Sequence, residues 1–540
     1  METYDYIVVG AGSSGCVVAS RLSADPAVRV LLLEAGADMD NFWVRTPAGA
    51  GKLFMDKQFN WAFNTESVPT LGGRKVYWPR GKGLGGSSSI NGMIYMRGQP
   101  GDFDHWAALG NEGWGWADVL PYFLRSEANQ RGANAYHGAD GPLHVSDPAV
   151  GHPTADDFII AAHSVGIPRS HDLNGPPHEG VGYRQYTIRN GRRHTSYNAF
   201  IEPVRHRHNL TVRTGVRATR VVLESGQATG VEVLEHGQPR RIAAAREVIL
   251  SGGALASPHL LMLSGIGDGA ALHRHGIAPA VESPGVGRNL QDHWFGSLSW
   301  RVTPESSYNH RLRGVHKYLE GARYLLTHGG YLALGAAPVT AYARSEASRP
   351  EADLQLTVSP MTFKFTPSGE PVVDDFPAIG ASVVLLTPDS HGHMELASPD
   401  PLQAPAFHPN YLSDPGDIRR TIAGMRIMRK IVQAQPLASR VVAEIAPGAS
   451  TDTDEQLLEH LKTSGNSGWH QVGTCKMGSD PLAVVDARLR VRGVQGLRVV
   501  DASIMPRIVA GNTNAPCIMI GEKAADMIRA DAVPARAVKS

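Results

Sequence analysis

Residues 4–36 of the chain read YDYIVVGAGSSGCVVASRLSADPAVRVLLLEAG, and this stretch decides the fold. Tyr6–Val9 is a short, apolar, β-branched run that is typical of a buried parallel strand. A glycine-rich turn follows, then a helical pattern through Leu22 and a second buried run over Val28–Leu33 that ends at Glu34. This order of strand, glycine turn, helix, strand and acid predicts a fold that binds a dinucleotide.

The three glycines of the turn have different predicted roles. Gly10 allows the tight turn, Gly12 lets the backbone approach a pyrophosphate, and Gly15 lets the helix pack on the strand. The start of the helix, which contains Ser13 and Ser14, offers N–H groups and the positive end of the helix dipole to the phosphates. We therefore expect this turn to bind the diphosphate of the cofactor.

Glu34 follows Gly15 by 19 residues. At that distance a carboxylate can accept hydrogen bonds from the ribose of a bound adenosine. The fingerprint is the same for FAD and NAD, so both cofactors remain open at this point.

Length, charge and cysteine content restrict the class of protein. A chain of 540 residues exceeds one compact core and predicts two domains. Its 52 Lys and Arg residues balance 51 Asp and Glu residues without a basic tract, which argues against nucleic acid as a partner. Three scattered cysteines indicate neither a disulfide framework nor a zinc site. Since no leader pattern or membrane-length apolar run is visible, we expect a cytoplasmic protein without an integral membrane segment.

Residues 78–93 form a second glycine-rich segment, WPRGKGLGGSSSINGM. Its backbone and hydroxyl groups could receive a planar ring or a diphosphate, although a plain glycine-rich turn would have the same composition. The segment closely resembles the first signature of the glucose–methanol–choline (GMC) oxidoreductases. The second signature of that family is matched by residues 253–267, GALASPHLLMLSGIG, and similar family motifs stand at 284–293, PGVGRNLQDH, and 469–478, WHQVGTCKMG.

The resemblance extends from residue 4 to about residue 530 and implies FAD as the cofactor. It also implies a mixed α/β and α+β fold, with a Rossmann-type FAD-binding domain and a substrate domain built on an antiparallel sheet flanked by helices. The expected domains alternate along the chain. The FAD-binding domain comprises residues 1–142, 196–293 and 463–540, and the substrate domain comprises a cap segment at 143–195 and residues 294–462.

The family pattern implies further FAD contacts beyond those of the first turn. Val216 matches a main-chain contact to adenine, although its sequence context is that of an ordinary strand valine. Ile90 stands where some relatives carry the histidine that attaches FAD covalently, and because isoleucine cannot form that bond we expect non-covalent FAD. The implied FAD contacts are Gly86, Ser87, Asn91, Gly92, Met93, Val216, Trp469, Asp501, Ala502 and Thr513.

Hydrophobic patterning predicts the other main elements. The alternating pattern within residues 294–462 indicates a half-buried antiparallel sheet, which in the family covers the flavin. Asn514 is expected to cap a helix that runs toward Met527. The predicted strands cover 209–216, 219–224, 230–234, 353–358, 381–386 and 393–397, and another helix is predicted over 417–432.

His470 and Asn512 are the expected catalytic pair. Oxidation of an alcohol by a flavin requires hydride transfer from carbon to N5 and removal of the hydroxyl proton, and histidine has a suitable pKa for the proton step. His470 matches the catalytic histidine of the family. Asn512 matches a position where relatives carry histidine or asparagine, so it can orient the substrate oxygen without acting as a base. Asn514 is a nearby alternative for this second role.

The substrate is expected to be a primary alcohol of the benzylic, furanic or allylic kind, because Trp469 resembles the tryptophan of furan- and benzyl-alcohol oxidases in the family. Two alternatives remain open: a quinone-linked dehydrogenase of aliphatic or choline-type alcohols, and an FAD-containing enzyme that resembles hydroxynitrile lyases. The electron acceptor is oxygen or a quinone. Gly468 is expected to leave an open volume through which oxygen reaches the reduced flavin. The oligomeric state is not determined by the sequence.

No metal site is predicted. His391 and His393 lie close together in the sequence, but no cluster of acids or cysteines accompanies them, so we expect surface histidines. His391 also departs from the family, which usually has an arginine in this segment.

The purified protein should be yellow and should release its flavin when it is precipitated with acid, because Ile90 cannot form a covalent link to FAD. Absorbance spectra of the supernatant and of the washed pellet provide the measurement. Flavin that stays with the denatured pellet would contradict non-covalent binding.

Overall fold

The computed structural model describes residues 2–366 and 371–532, and two large sheets form its framework. Sheet 1 has seven strands, and its pairs are parallel except at one side. Its order is Leu210–Arg213, Val30–Leu33, Thr3–Val9, Gln238–Leu250, Gln227–Glu235 and Val216–Glu224, with Leu497–Val499 paired to the end of Gln238–Leu250.

The dinucleotide-binding unit forms as the glycine pattern predicts. Strand Thr3–Val9 leads through the glycine turn into helix α1, Ser13–Leu22, and the chain returns in strand Val30–Leu33 beside the first strand. All four residues of this second strand are buried, as a parallel strand covered on both faces requires. The strand begins at Val30 instead of Val28.

The single strand predicted over 209–216 is wrong, because the structure divides it. Leu210–Arg213 pairs in parallel with Val30–Leu33, and a separate strand, Val216–Glu224, begins after Gly215. Gly215 has a φ of +69°, a conformation that ends the first strand and redirects the chain into an antiparallel hairpin.

Sheet 2 is antiparallel, which confirms the predicted architecture. Helix α2, Pro415–Val432, covers one face, and Gly424 in this helix approaches Val383 so closely that a Cβ would lie 2.5 Å from the Val383 Cγ1 atom. The order of strands is Val441–Ala446, Trp294–Val302, Ala378–Leu385, Leu354–Ser359, Val339–Ala343 and Gly180–Tyr183, with Asn466–Ser467 paired to Trp294–Val302.

One predicted strand of this region lies outside sheet 2. His393–Glu395 pairs with Ala406–His408 in a separate two-stranded sheet. The alternation of the sequence identified a strand but could not identify its partner, because pairing depends on residues that are distant in the chain.

The C-terminal helix α3, Asn514–Asp531, packs on α1. The Ser14 hydroxyl donates to the Cys517 carbonyl over 2.7 Å, and Arg21 forms a 2.7 Å ion pair with the buried Glu522. The two ends of the chain are thereby joined behind the glycine turn.

The remaining α-helices connect and cover the two sheets. No helix in the described residues is both long enough and apolar enough to cross a membrane. The α-helices besides α1, α2 and α3 are Phe42–Arg45, Ala50–Leu53, Pro100–Ala108, Trp116–Ser126, Pro153–Ser164, Gly253–Leu263, Gly269–Arg274, His316–Thr327 and Asp454–Ser464.

Replacing Gly15 by Ala should lower the free energy of unfolding by about 1–3 kcal/mol, because the new Cβ would overlap the carbonyl oxygen of Gly10. Gly321→Ala is the matched control. It also lies within a helix, has no atom within 4 Å of the added Cβ, and should be neutral or stabilising by up to about 1 kcal/mol. Thermal unfolding of both variants provides the measurement, and equal melting temperatures would contradict the close packing at Gly15.

Candidate active site

A cavity of about 870 Å³ lies between the two sheets. Every residue assigned to cofactor binding or catalysis from the sequence lines it, except Gly15. Gly15 faces the Gly10 carbonyl within the fold, which agrees with its predicted role in packing. The lining residues are Gly10, Gly12, Ser13, Ser14, Glu34, Gly86, Ser87, Asn91, Gly92, Met93, Val216, Trp469, His470, Asp501, Ala502, Asn512 and Thr513.

The two glycine-rich turns meet at one part of the cavity. A Cβ on Gly86 would lie 2.8 Å from the Gly12 Cα atom, whereas a Cβ on Gly12 would meet only the Ser251 carbonyl oxygen, at 3.9 Å. The backbone of Gly12 is therefore open toward the cavity. This geometry provides the close approach to main chain that a diphosphate requires.

The acids at this end of the cavity are already engaged by the protein. Glu34 accepts hydrogen bonds from the N–H groups of Ala11 and Gly36 over 3.0 and 2.8 Å, and burial raises the pKa of its carboxyl group. Asp501 accepts from the Gly253 N–H over 2.8 Å and from the Ser257 hydroxyl. These bonds orient both carboxylates toward the turns that they join.

Ser13 and Ser14 are placed at the turn, but their hydroxyl groups bind α3. Ser13 donates to the Asn514 side-chain oxygen over 2.7 Å, and Ser14 donates to the Cys517 carbonyl. The prediction that Asn514 caps α3 is wrong by one residue: Thr513 is the N-cap and Asn514 is the first helical residue. The side-chain oxygen of Asn514 is thus used at the glycine turn, and Asn512 is the residue beside the predicted base.

Two imidazoles and an amide form a directed chain at the other part of the cavity. The His293 Nε2 atom lies 2.9 Å from the Leu386 carbonyl, so it carries the hydrogen. The neutral ring then accepts at Nδ1, and the His470 Nδ1 atom, 2.9 Å away, must donate to it. Consequently the His470 Nε2 atom has a free lone pair, toward which the Asn512 amide nitrogen points from 3.0 Å.

Both imidazoles are held neutral. Burial lowers the pKa of His293 to about 4. Burial lowers the pKa of His470 well below its usual value, and His293 together with the guanidinium groups of Arg80 and Arg184 acts in the same direction. A neutral ring with a defined tautomer can accept a proton at Nε2.

Asp292 positions the loop that carries His470. The Asp292 carboxylate accepts from the His470 N–H over 2.7 Å and from the Gln471 amide over 2.8 Å, and the hydroxyls of Ser467 and Tyr411 also donate to it. Burial raises the pKa of this carboxyl group, and the two hydroxyl donors oppose the rise. Both Asp292 and His293 belong to the PGVGRNLQDH motif, but the sequence analysis assigned neither of them a role.

Two residues of the cavity wall have unusual backbone conformations. Met93 and Trp469 both have a φ of +61°, in the left-handed region that residues other than glycine seldom adopt. The Met93 N–H donates to the Asn91 side-chain oxygen and the Trp469 N–H donates to the Ser467 hydroxyl oxygen, and these bonds hold the two conformations. Strained backbone of this kind is concentrated at functional sites.

Gly468 lines the cavity, but the space beside its Cα atom is narrower than expected. A Cβ at this position would lie 3.2 Å from the His293 Cβ atom and 3.2 Å from the His470 Nδ1 atom. Glycine is needed here because the backbone lies against the two imidazoles, and its own N–H donates to the His293 carbonyl. The position therefore gives no support for an oxygen path.

The two histidines considered as surface residues have different environments. His391 is exposed. His393 is half-buried and stacks on His408, with ring centroids 4.7 Å apart, and Glu395 lies beside them. The prediction that the protein binds no metal stays a prediction.

The fold and the cavity are those of a flavin-dependent oxidoreductase. The chain matches the GMC oxidoreductase N-terminal model over residues 4–295 and the C-terminal model over residues 388–521. It belongs to the GMC oxidoreductase family, and it is an FAD-dependent enzyme that acts on CH–OH donors.

Similar proteins in this family have different substrates in their names. An alcohol dehydrogenase [acceptor] of Pseudomonas putida is 42% identical over 533 residues, which cover 97% of this chain and 95% of that protein. Mitochondrial choline dehydrogenase of Mus musculus is 39% identical over 543 residues, covering 98% and 90%. The crystal structure of pyridoxine 4-oxidase from Mesorbium loti has a TM-score of 0.87 and 32% identity, covering 98% of this chain and 100% of that one.

The residues present fit FAD. The open backbone at Gly12 can receive the diphosphate, and Glu34 stands at the end of the second strand, where the ribose of a dinucleotide lies. The contacts assigned to individual residues remain predictions, as does non-covalent attachment at Ile90, which is buried in an apolar cluster.

Since the pKa of His470 is lowered, the ring should remain an unprotonated base in mildly acidic solution. We expect the rate of flavin reduction by a saturating alcohol to change by less than about twofold between about pH 8 and pH 6. A base with an ordinary pKa of about 6.5 would lose about fourfold in rate over the same range. Anaerobic stopped-flow absorbance measures the rate, and a fourfold fall centred near pH 6.5 would contradict the shift.

Proposed function

We propose that this enzyme oxidises a primary alcohol to the aldehyde, with His470 as the base that removes the hydroxyl proton. The observation that carries the proposal is the hydrogen-bond chain from the Leu386 carbonyl through His293, which leaves the His470 Nε2 atom as an acceptor at the cavity. Bound FAD supplies the hydride acceptor, N5. The protein supplies the base and the orientation of the alcohol.

Asn512 is the partner of His470 in this proposal. Its amide nitrogen faces the His470 Nε2 atom, and its Oδ1 atom is buried without a hydrogen-bond partner in the described structure. An alcohol oxygen that enters beside the base can accept from this amide nitrogen while its own hydrogen points to the imidazole. The amide cannot remove a proton near neutral pH, so it orients the oxygen and leaves proton transfer to His470.

An aromatic wall favours activated alcohols. Trp469 packs edge-on against Phe54, with ring centroids 4.6 Å apart, and its indole N–H donates to the Tyr77 carbonyl over 3.2 Å. Both rings line the cavity. A rigid aromatic surface beside the base suits a benzylic, furanic or allylic alcohol, and one similar protein is named for the oxidation of pyridoxine, an aromatic alcohol.

The identity of the electron acceptor determines whether the enzyme is an oxidase, which uses oxygen, or a dehydrogenase, which uses a quinone. The Pseudomonas putida relative is named an acceptor-linked dehydrogenase, and the structure removes the argument for oxygen at Gly468. We therefore favour a quinone-type acceptor. Mixing reduced enzyme with air-saturated buffer or with a quinone decides between them, because the physiological acceptor must reoxidise the flavin at the faster rate.

Replacing His470 by Ala should slow flavin reduction by roughly 10²–10⁴-fold while FAD content stays normal, because the general base is lost. The matched control is His391→Ala, which removes an exposed histidine outside the cavity and should leave the rate unchanged. Stopped-flow reduction at saturating alcohol is the measurement. A near-normal rate in the His470 variant would exclude this residue as the base.

The same experiment separates oxidation from the lyase alternative. An alcohol that bleaches the bound flavin donates electrons to it, whereas cleavage of a hydroxynitrile leaves the flavin oxidised. Cleavage of mandelonitrile without bleaching by any alcohol of a benzylic, furanic and allylic panel would reject the proposed oxidation.

A further inference from the structure

Arg184 is a buried cation without an acidic partner. The residue is 4% exposed. One terminal nitrogen donates to the Thr357 hydroxyl over 2.6 Å, the other donates to the Ala337 carbonyl over 3.3 Å, and the buried Nε atom has no partner in the described structure. Within residues 2–366 and 371–532, no carboxylate oxygen lies within 4.0 Å of its guanidinium nitrogens.

Three other buried arginines of the chain are neutralised by acids, whereas the buried Arg193 donates to the carbonyls of Val44 and Asn91 and to the Asn91 side chain. Arg97 pairs with Glu127, and Arg498 pairs with Glu247 over 2.6 Å. Arg420 forms a 2.7 Å pair with Asp417. Burying a charge is costly unless an opposite charge or several hydrogen bonds compensate it. Arg184 therefore differs from the arginines that stabilise the fold.

Arg184 faces the cavity from the side of sheet 2. It lines the cavity together with Gln355 and Thr357, two polar residues of strand Leu354–Ser359. Strand Leu354–Ser359, which holds Arg184 through Thr357, pairs with strand Ala378–Leu385, and the next residue, Leu386, accepts from His293 beside His470. The charge of Arg184 also acts on the His470 imidazole. A substrate that reaches the base is therefore within the electrostatic field of Arg184.

The same part of the cavity has no negative charge to offer a cation. Among the described residues that line the cavity, the carboxylates are Glu34 and Asp501, and both are bonded to the glycine turns at the side of sheet 1. A choline-type substrate would meet an arginine and no counter-charge, whereas an anionic group would meet a guanidinium without an acidic partner.

We propose that Arg184 binds a carboxylate of the substrate, and that the substrates of this enzyme are hydroxymethyl compounds that carry a carboxylate away from the reacting carbon. This inference rests on the proposed alcohol oxidation. The guanidinium has N–H groups beyond the two that bond Thr357 and Ala337, and a carboxylate in the cavity can accept from them in strong, charge-assisted hydrogen bonds. Arg184 would then set both the orientation and the charge preference of the alcohol.

The test compares two alcohols of similar size. 4-(Hydroxymethyl)benzoate and 4-methylbenzyl alcohol differ by a carboxylate in place of a methyl group, and 3-(hydroxymethyl)benzoate samples a second distance from the alcohol to the anion. For the wild-type holoenzyme we expect the rate of anaerobic flavin reduction divided by the Kd to be about 10–100-fold higher for at least one carboxylate than for the neutral alcohol.

Arg184→Gln should remove most of this preference. The ratio should fall by about 10–100-fold for the carboxylate and by less than about threefold for the neutral alcohol, whereas Arg184→Lys should keep part of the preference. The matched control is Arg189→Gln, which removes an exposed positive charge outside the cavity and should retain the wild-type preference.

A binding measurement that needs no turnover accompanies the kinetics. Titration of the holoenzyme with 4-methylbenzoate, followed by the perturbation of the flavin spectrum, should give a Kd that rises about 10–100-fold in Arg184→Gln, while 4-methylbenzamide should bind both proteins equally. This readout separates an anion subsite from a merely structural role of the arginine.

The outcomes distinguish this inference from the proposed function. Equal reduction by the neutral and the carboxylate alcohols in the wild-type enzyme would overturn the anion subsite and leave the oxidation intact. The absence of flavin reduction with every alcohol would instead reject the oxidation. If Arg184→Gln does not fold, the wild-type comparison and the Arg184→Lys variant still decide the question. Equal rates for the neutral and carboxylate alcohols in the wild-type enzyme, or the full wild-type preference in the lysine variant, would refute the proposal.

Discussion

The carboxylate of Asp292 is the constraint on which the catalytic geometry depends. It is buried, and four donors from two distant segments converge on it. Those bonds join the end of the PGVGRNLQDH motif to the loop that contains His470. Because the next residue along the chain is His293, the same constraint brings the two imidazoles into hydrogen-bond distance. The position of the proposed base thus follows from one buried acid that does not line the cavity.

The Leu386 carbonyl determines which nitrogen donates and which accepts in the hydrogen-bond chain of His293 and His470. A backbone carbonyl can only accept a hydrogen bond, so the Leu386 carbonyl determines the tautomer of His293, and His293 determines the tautomer of His470. Burial keeps both rings neutral. The result is a neutral His470 ring whose Nε2 lone pair points into the cavity.

The charges of the cavity are arranged unequally between the two sheets. The acids lie on the side of sheet 1, where backbone N–H groups and hydroxyls hold them. The side of sheet 2 has Arg184, whose charge is not balanced by an acid. Burial lowers the pKa of His470, and the charges of Arg80 and Arg184 act in the same direction. Under the proposed anion subsite, the same asymmetry favours anionic over cationic substrates.

The sequence by itself determined the local features of the protein. The strand, the glycine turn and helix α1 could be predicted because their signals lie within about 30 consecutive residues and depend on backbone conformation alone. The family motifs likewise identified His470 and Asn512, which the structure brings within 3.0 Å of each other.

Tertiary structure alone decided the break at Gly215, the crowding around Gly468, the position of Asn514, the roles of Asp292 and His293, and the unpaired state of Arg184. The physical reason is the same in each case: the deciding partner is distant in the chain, as for the contact between His293 and His470 across 177 positions, and only the folded packing shows which groups meet and which buried charges remain without a partner.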